Sequence, residues 1–335
     1  MKIVLITDVW YPQVNSSVRK HTITCNILKH WGYDVEVIEP SQFWSIPIPG
    51  YKDARFCYFT GDFIDKYKDH NNIAFHIATE GPLGRKAAKL LTKKGWKFTT
   101  SLCTIFPGYL KENYYLPKSL SWWYLKSFHS KSSKVMVFTK TMKNILEEKE
   151  IKNVCVWPCG VDTKIFKPNS YLFKEPKTAI YVGPLSDESN IREFLNLDMD
   201  INKWVVGTGP EEEGLKKEYP DVSFFGDLDG HTLALAYHLG SVFVFPGGDY
   251  ADPLPMVRAL VCGTPIAAFP TNQPKNIFNN NDGVGFMDKD LKTAITKAIK
   301  DSDPEMCRKM GIRYDWKLTT ARFLQNIKFN HTQSS

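Results

Sequence analysis

Residues 153–183 read NVCVWPCGVDTKIFKPNSYLFKEPKTAIYVG. An apolar run ends in a passage rich in Pro and Lys with neither helix nor strand period, and a fresh apolar run closing on glycine follows it. This reads as a connection between two domains, because the same alternation flanks it on both sides. Upstream come KIVLITDV, a helix over about residues 17–31, DVEVIEP, NIAFHIAT, a helix near 83–94, KFTTSL, and KVMVFT leading into KTMKNILEEK. Downstream come TAIYVG, KWVVGTG, DVSFFG, SVFVFPG and TPIAAFP, each followed by a helix or turn. Strand then helix, repeated, is the order of parallel βαβ units, so the expected fold is α/β with two Rossmann-like doubly wound parallel sheets and a cleft between them. A chain of 335 residues suits two cores better than one.

Composition excludes several classes. With 43% hydrophobic and 24% charged residues the chain is neither disordered nor fibrous. The net charge of +7 is scattered, and Lys86, Lys89, Lys93 and Lys94 fall at helical spacing, as on a solvated helix face, so nucleic acid is not an expected partner. No run approaches the ~18 apolar residues of a membrane span. The opening MKIVLITDVWYP is interrupted by Asp8 and lacks a small-residue cleavage site, so it reads as a first strand rather than a signal peptide. Seven cysteines form no paired CxxC, which fits reduced thiols in the cytoplasm and neither a disulfide framework nor a zinc site.

In doubly wound sheets ligands lie beyond the carboxyl ends of the strands. That rule gathers residues 7–17, 76–84, 183–190, 207–210 and 247–258 around one region. The glycines of GTGP, Gly207 and Gly209 before Pro210, serve either a tight turn or close approach to a nucleotide. His76, at the end of an apolar strand, is either a satisfied core histidine or a group at the site. The opening strand lacks GxGxxG, which argues against a dinucleotide site.

Taken in order, ITDVWYPQVNSSVRKHT, HIATEGPLGRKAAKLL, FTTSLCTIFPGYL, VWPCGVDTKIFKP, VVGTGPEEEGLKKEYPDVSFFG and VFVFPGG…ALVCGTPIAAFP resemble the retaining glycosyltransferases of family four. The resemblance covers nearly the whole chain. It implies the GT-B architecture, with an acceptor-side domain over 1–165, a nucleotide-sugar domain over 166–312, and a terminal segment, 313–335, crossing back to the first. It implies a nucleotide-sugar donor, GDP-mannose before UDP-hexose, a glycan acceptor, no metal and no cofactor. A homodimer is the default assembly. Front-face attack on an oxocarbenium-like carbon, with the departing phosphate as base, is the implied mechanism.

By the same resemblance, Asn15, Ser16, Gly183, Pro184, Gly207, Gly209, Pro210, Gly226, Leu254, Pro255, Met256 and Arg258 are donor-site positions, and His76, Asp249 and Asp252 are the catalytic candidates. The departures are pointed. Pro184 and Ser189 stand where the relatives carry an Arg and a Lys that grip the diphosphate, Cys103 where they often have a His, and Asn15, Ser16 and Ser17 fill the usual glycine turn. Tyr250 and Arg258 occupy the two usual Glu positions, with Asp249 and Asp252 near the first. Arg258 then either restores a cation for phosphate or caps one of those aspartates. The alternative to a transferase is a descendant of such an enzyme that binds a nucleotide, glycan or protein without turnover.

Overall fold

The computed structural model describes residues 1–331 except 14, 49–50, 58–59, 103–117, 169–176, 249–251 and 279–282, with the backbone alone at 47–48, 51–54, 56 and 118. The chain divides into two compact units, one made of Met1–Cys159 with Lys317–Ser335, the other of Gly160–Trp316.

The first unit is built on β1 (Lys2–Ile6), β2 (Asp34–Ile38), the antiparallel hairpin β3 (Ser45–Ile48) and β4 (Tyr51–Cys57), β5 (Ile73–Ile77), β6 (Phe98–Leu102), β7 (Lys134–Val137) and β8 (Val154–Val156). Its sheet runs β2-β1-β5-β6-β7-β8, all parallel. Both β5 and β6 are buried along their whole length, as central parallel strands covered on two faces must be. That double burial is why the polar residues of IAFHI and FTTSL have to find partners inside the protein. The helix Ser16–His30 follows β1 and starts at Asn15, whose side-chain oxygen accepts from the Val18 amide at 2.9 Å. The helix Pro82–Lys93 follows β5 with Pro at its first position and no cap from its own neighbours.

The C-terminal helix Trp316–Asn326 also packs on this sheet. Thr319, Thr320 and Phe323 are buried, and the Trp157 indole donates to the Thr319 carbonyl at 3.1 Å. A short last strand, Phe329–Asn330, runs antiparallel to β5. The division between units falls at 159/160 and 316/317 because residues 160–168 are tied into the second unit. Val161 bridges to Asp315, Thr163 donates to the Asp315 carboxylate, and Arg308 donates to the carbonyls of Thr163, Phe166 and Val261.

The second unit carries β9 (Thr178–Val182), β10 (Asn202–Val206), β11 (Ser223–Phe224), β12 (Val242–Phe245), β13 (Ile266–Ala268) and β14 (Gly285–Met287), parallel throughout in the order β11-β10-β9-β12-β13-β14. Two buried apolar clusters cover it, one on each face. In this sheet the order reverses between β9 and β12, and in the first between β1 and β5. Such reversals are where α/β sheets open a crevice.

Candidate functional site

In the second unit two side chains bridge loops near the reversal point. Asn190, left-handed at φ 54°, donates from Nδ2 to the Pro246 carbonyl at 3.3 Å, joining the loop after β9 to the loop after β12. Thr271, beyond β13, donates to the Gly247 carbonyl at 3.4 Å. The loops after β9, β10 and β11 are stitched together by backbone. Gly183 donates to Val206 at 3.0 Å, Leu185 to Thr208 at 3.0 Å, and Gly207 to Gly226 at 2.7 Å. A Cβ on Gly207 would lie 2.0 Å from the Gly183 carbonyl oxygen, and one on Gly209 would lie 2.2 Å from that of Leu185. These glycines are therefore required by the close approach of the loops themselves.

That closeness leaves few amide donors for an anion. The Glu211 and Glu212 amides donate to Leu185 and Gly209, Pro210 has none, and the short helix Glu212–Glu218 opens with carboxylates. Arg192 pairs with Glu211 through two 2.9 Å contacts and with Glu218 at 3.2 Å. Pro184 is exposed, its carbonyl accepting from the Tyr181 hydroxyl at 2.9 Å, and the Ser189 hydroxyl is turned inward onto Ser186 at 2.6 Å. Neither of those two positions offers a cation.

The helix Leu254–Val261 follows β12. Asp252 accepts from the Leu254 amide at 2.9 Å, and Pro255 supplies no amide, so the first turn offers little to a phosphate. Met256 is fully buried in the core, which removes its side chain from any ligand; the resemblance had put it at the donor. Arg258, in the same helix, is half-buried. Its guanidinium carbon lies 5.3 Å from the centre of the Phe166 ring, and no carboxylate among the described residues stands within ion-pair distance. Beneath it the Tyr237 hydroxyl is buried without a hydrogen-bond partner among the described residues. The Tyr237 phenol is held well above its usual range by burial, against the pull of the Arg258 charge. Asp249 and Tyr250 lie outside the described residues, as does Cys103.

In the first unit the polar groups are interior. His76 is fully buried, with Nδ1 2.9 Å from the Thr99 hydroxyl and Nε2 3.2 Å from that of Ser101. The sequence left a core and a site role open; the structure places His76 in the core, since both ring nitrogens are engaged and neither reaches solvent. His21 lies beside it, 2.8 Å from the Ser17 carbonyl and 3.4 Å from Ser101. Burial lowers the His21 pKa to about 4 and drives that of His76 well below its ordinary value. Asn15 is engaged as a helix cap, and Ser16 is exposed beside it.

Asp8 was noticed in the sequence only as an interruption of an apolar run. Its carboxylate accepts from the Thr79 hydroxyl at 2.7 Å and from the amides of Leu83 and Gly84 at 2.7 and 3.2 Å, capping the helix Pro82–Lys93 from the end of β1. Burial nevertheless raises its pKa to about 6. A carboxylate directly after an apolar strand was the available signal; its partner lay more than 70 positions away. Among the described residues no group of three His, Cys, Asp or Glu side chains could hold a metal ion, and no helix is long and apolar enough to cross a membrane.

Two parallel doubly wound sheets with the candidate residues on their carboxyl-end loops define the class of fold: it is that of GT-B glycosyltransferases. A sucrose-phosphate synthase from Thermosynechococcus elongatus superposes with a TM-score of 0.67 at 17% identity, over 97% of each chain. Anabaena HepE, solved in complex with UDP, does so with 0.66 at 12% identity, over 97% of this chain and 99% of that one. More narrowly, residues 23–165 match the family model of Glycosyltransferase Family 4. A GDP-mannose-dependent alpha-mannosyltransferase of Corynebacterium glutamicum is 24% identical over 343 aligned positions, which cover 92% of this chain and 83% of that protein.

Proposed function

We infer that this chain is a glycosyltransferase, a retaining, metal-independent hexosyltransferase that uses GDP-mannose, with UDP-hexoses second, and transfers the sugar to a hydroxyl of a glycan. The donor assignment leans on the similarity to the Corynebacterium glutamicum mannosyltransferase. The observation that carries the reading is Arg258, a half-buried guanidinium in the helix after β12 with no ion-pair partner among the described residues. A guanidinium can contact two phosphate oxygens at once and would replace the cations that Pro184 and Ser189 do not supply. Asp252, exposed at the same turn, would face the sugar hydroxyls, and Asp249 lies three residues before it.

The test is a calorimetric titration with GDP-mannose, UDP-glucose, GDP and UDP in the absence of divalent metal, repeated on Arg258→Ala. The expected result is micromolar affinity for one sugar nucleotide and at least a tenfold loss in the variant, about 1.4 kcal/mol or more. Failure of every nucleotide to bind would overturn the reading. The diversion of Arg192 onto Glu211 and Glu218 favours one second reading, a chain that binds a nucleotide, glycan or protein without turnover. Donor binding without release of the hexose to water or any glycan would select it.

A further inference from the structure

The helices Pro82–Lys93 and Lys118–His129 of the first unit border a depression of about 310 Å³ that no step above uses. Arg85, Lys86, Lys89 and Lys131 line it together with Ser127 and Phe128, and no carboxylate does. Nearby lysines are neutralised: Lys94 contacts Asp62 and Asp65 at 3.1 and 2.8 Å, and Lys126 pairs with Glu150. The four lining cations have no ion pair among the described residues. Arg85 and Lys89 stand one helical turn apart, as do Lys86 and Lys89, so each pair repels its partner along the face. A solvated helix face tolerates this, but it does not explain why a fourth cation, Lys131, arrives from the turn after the other helix.

Arg85 supplies an independent observation. Its guanidinium carbon lies 4.3 Å from the centre of the Tyr124 ring, which fixes the plane of the fork. Its Nη1 is buried with no hydrogen-bond partner among the described residues. A buried donor of a charged group left unpaired is costly. The Glu80 carboxylate lies toward His129, with 3.3 Å between Oε1 and Nε2.

We propose that this depression is an anion site for a phosphate group. The fixed fork of Arg85 suits two oxygens of one phosphate, and Lys89 on the first helix and Lys131 in the turn after the second add ammonium groups. The volume stands at the lower end of small-molecule sites, about 300–1,000 Å³, so it admits a phosphate with a small attached group and not a large ligand. A soluble phosphate ester and a lipid headgroup share this chemistry. The site shares no residue with the donor-site reading and stands or falls separately from it.

The test uses the full chain at low ionic strength in phosphate-free buffer. Inorganic phosphate is titrated calorimetrically, and vesicles of phosphatidylcholine with and without phosphatidylglycerol are sedimented with the protein. Each measurement is repeated on Arg85→Gln, on Lys89→Glu combined with Lys131→Glu, and on Arg258→Ala. The lysines are exposed, so the double variant should melt as the native chain does. Saturable phosphate binding that weakens at least tenfold in Arg85→Gln and in the double variant, and survives Arg258→Ala, supports the site with a soluble source. Binding to phosphatidylglycerol vesicles alone, lost in the same variants, supports it with a lipid source. Absence of both, binding that survives the double variant, or phosphate binding that disappears with Arg258→Ala would overturn it.

Discussion

The two sheets finish their carboxyl ends in opposite ways. In the first unit, side chains close the end: His76 between Thr99 and Ser101, His21 beside them, and Asp8 gripping a helix that begins at Pro82. In the second, backbone closes it, with Gly183, Gly207 and Gly226 bonded loop to loop and hardly any titratable side chain buried among them. The difference teaches where each end is vulnerable. A side-chain network responds to pH and tolerates a change of backbone shape; a backbone weave ignores pH and tolerates no added atom.

The largest effect should come from breaking the weave. Gly207 has φ +132° and its added Cβ would fall 2.0 Å from the Gly183 oxygen, so Gly207→Ala should cost about 3 kcal/mol or more in urea unfolding followed by fluorescence. Gly226 has φ +64° but nothing within 4 Å of its added Cβ, so Gly226→Ala should cost only about 1 kcal/mol. Equal losses at the two positions would show that backbone angle, and not the approach of the loops, governs this end.

The pH comparison comes next. The folded pKa of His21, about 4, lies below the ordinary 6.5, so the unfolded chain takes up a proton as pH falls through 6.5 and the folded chain does not. Between pH 7 and 5 that removes about 2 kcal/mol of stability, and His21→Asn should lose correspondingly less over the same interval. Asp8 acts with the opposite sign. Its folded pKa of about 6 is above the ordinary 3.8, so the folded chain gains the proton first and stability rises by about 1 kcal/mol on the same acidification. Asp8→Asn should therefore melt more steeply with acid than the native chain, as followed by circular dichroism at pH 7, 6 and 5. A native-like acid profile in both variants would mean these groups do not set the pH response of the first unit.

This contrast also explains what the sequence disclosed. Strands such as IAFHI and TAIYV announce themselves because apolar periodicity is local, and so the two-sheet plan was readable. The hairpin Ser45–Ile48 with Tyr51–Cys57 was not read, since SIPIPGYKDARFC carries two prolines and no clear alternation. The glycines of GTGP and FFG were legible as loops at strand ends, but whether their amides face a ligand or one another depends on three loops at once. The resemblance put Met256 at the donor; the helix phase, which buries it fully and leaves Arg258 half-buried, was visible only in the fold.

Asn15 gives the smallest effect and the sharpest division between capping and ligand binding. The resemblance placed it at the donor, yet its side-chain oxygen is engaged with the Val18 amide at the start of a 15-residue helix. Removing the cap in Asn15→Ala should cost between about 0.5 and 1 kcal/mol in thermal unfolding, the lower part of the range for caps because the position is exposed. Asn15→Asp keeps the acceptor and adds a negative charge at the positive end of the helix dipole, so stability should stay within about 0.5 kcal/mol. The same charge would repel a diphosphate contacting this turn. If donor affinity is untouched in Asn15→Asp, Asn15 acts as a cap and the first unit's polar residues serve its fold; a tenfold or greater loss would put the turn at the donor and erase the division drawn between the two sheets.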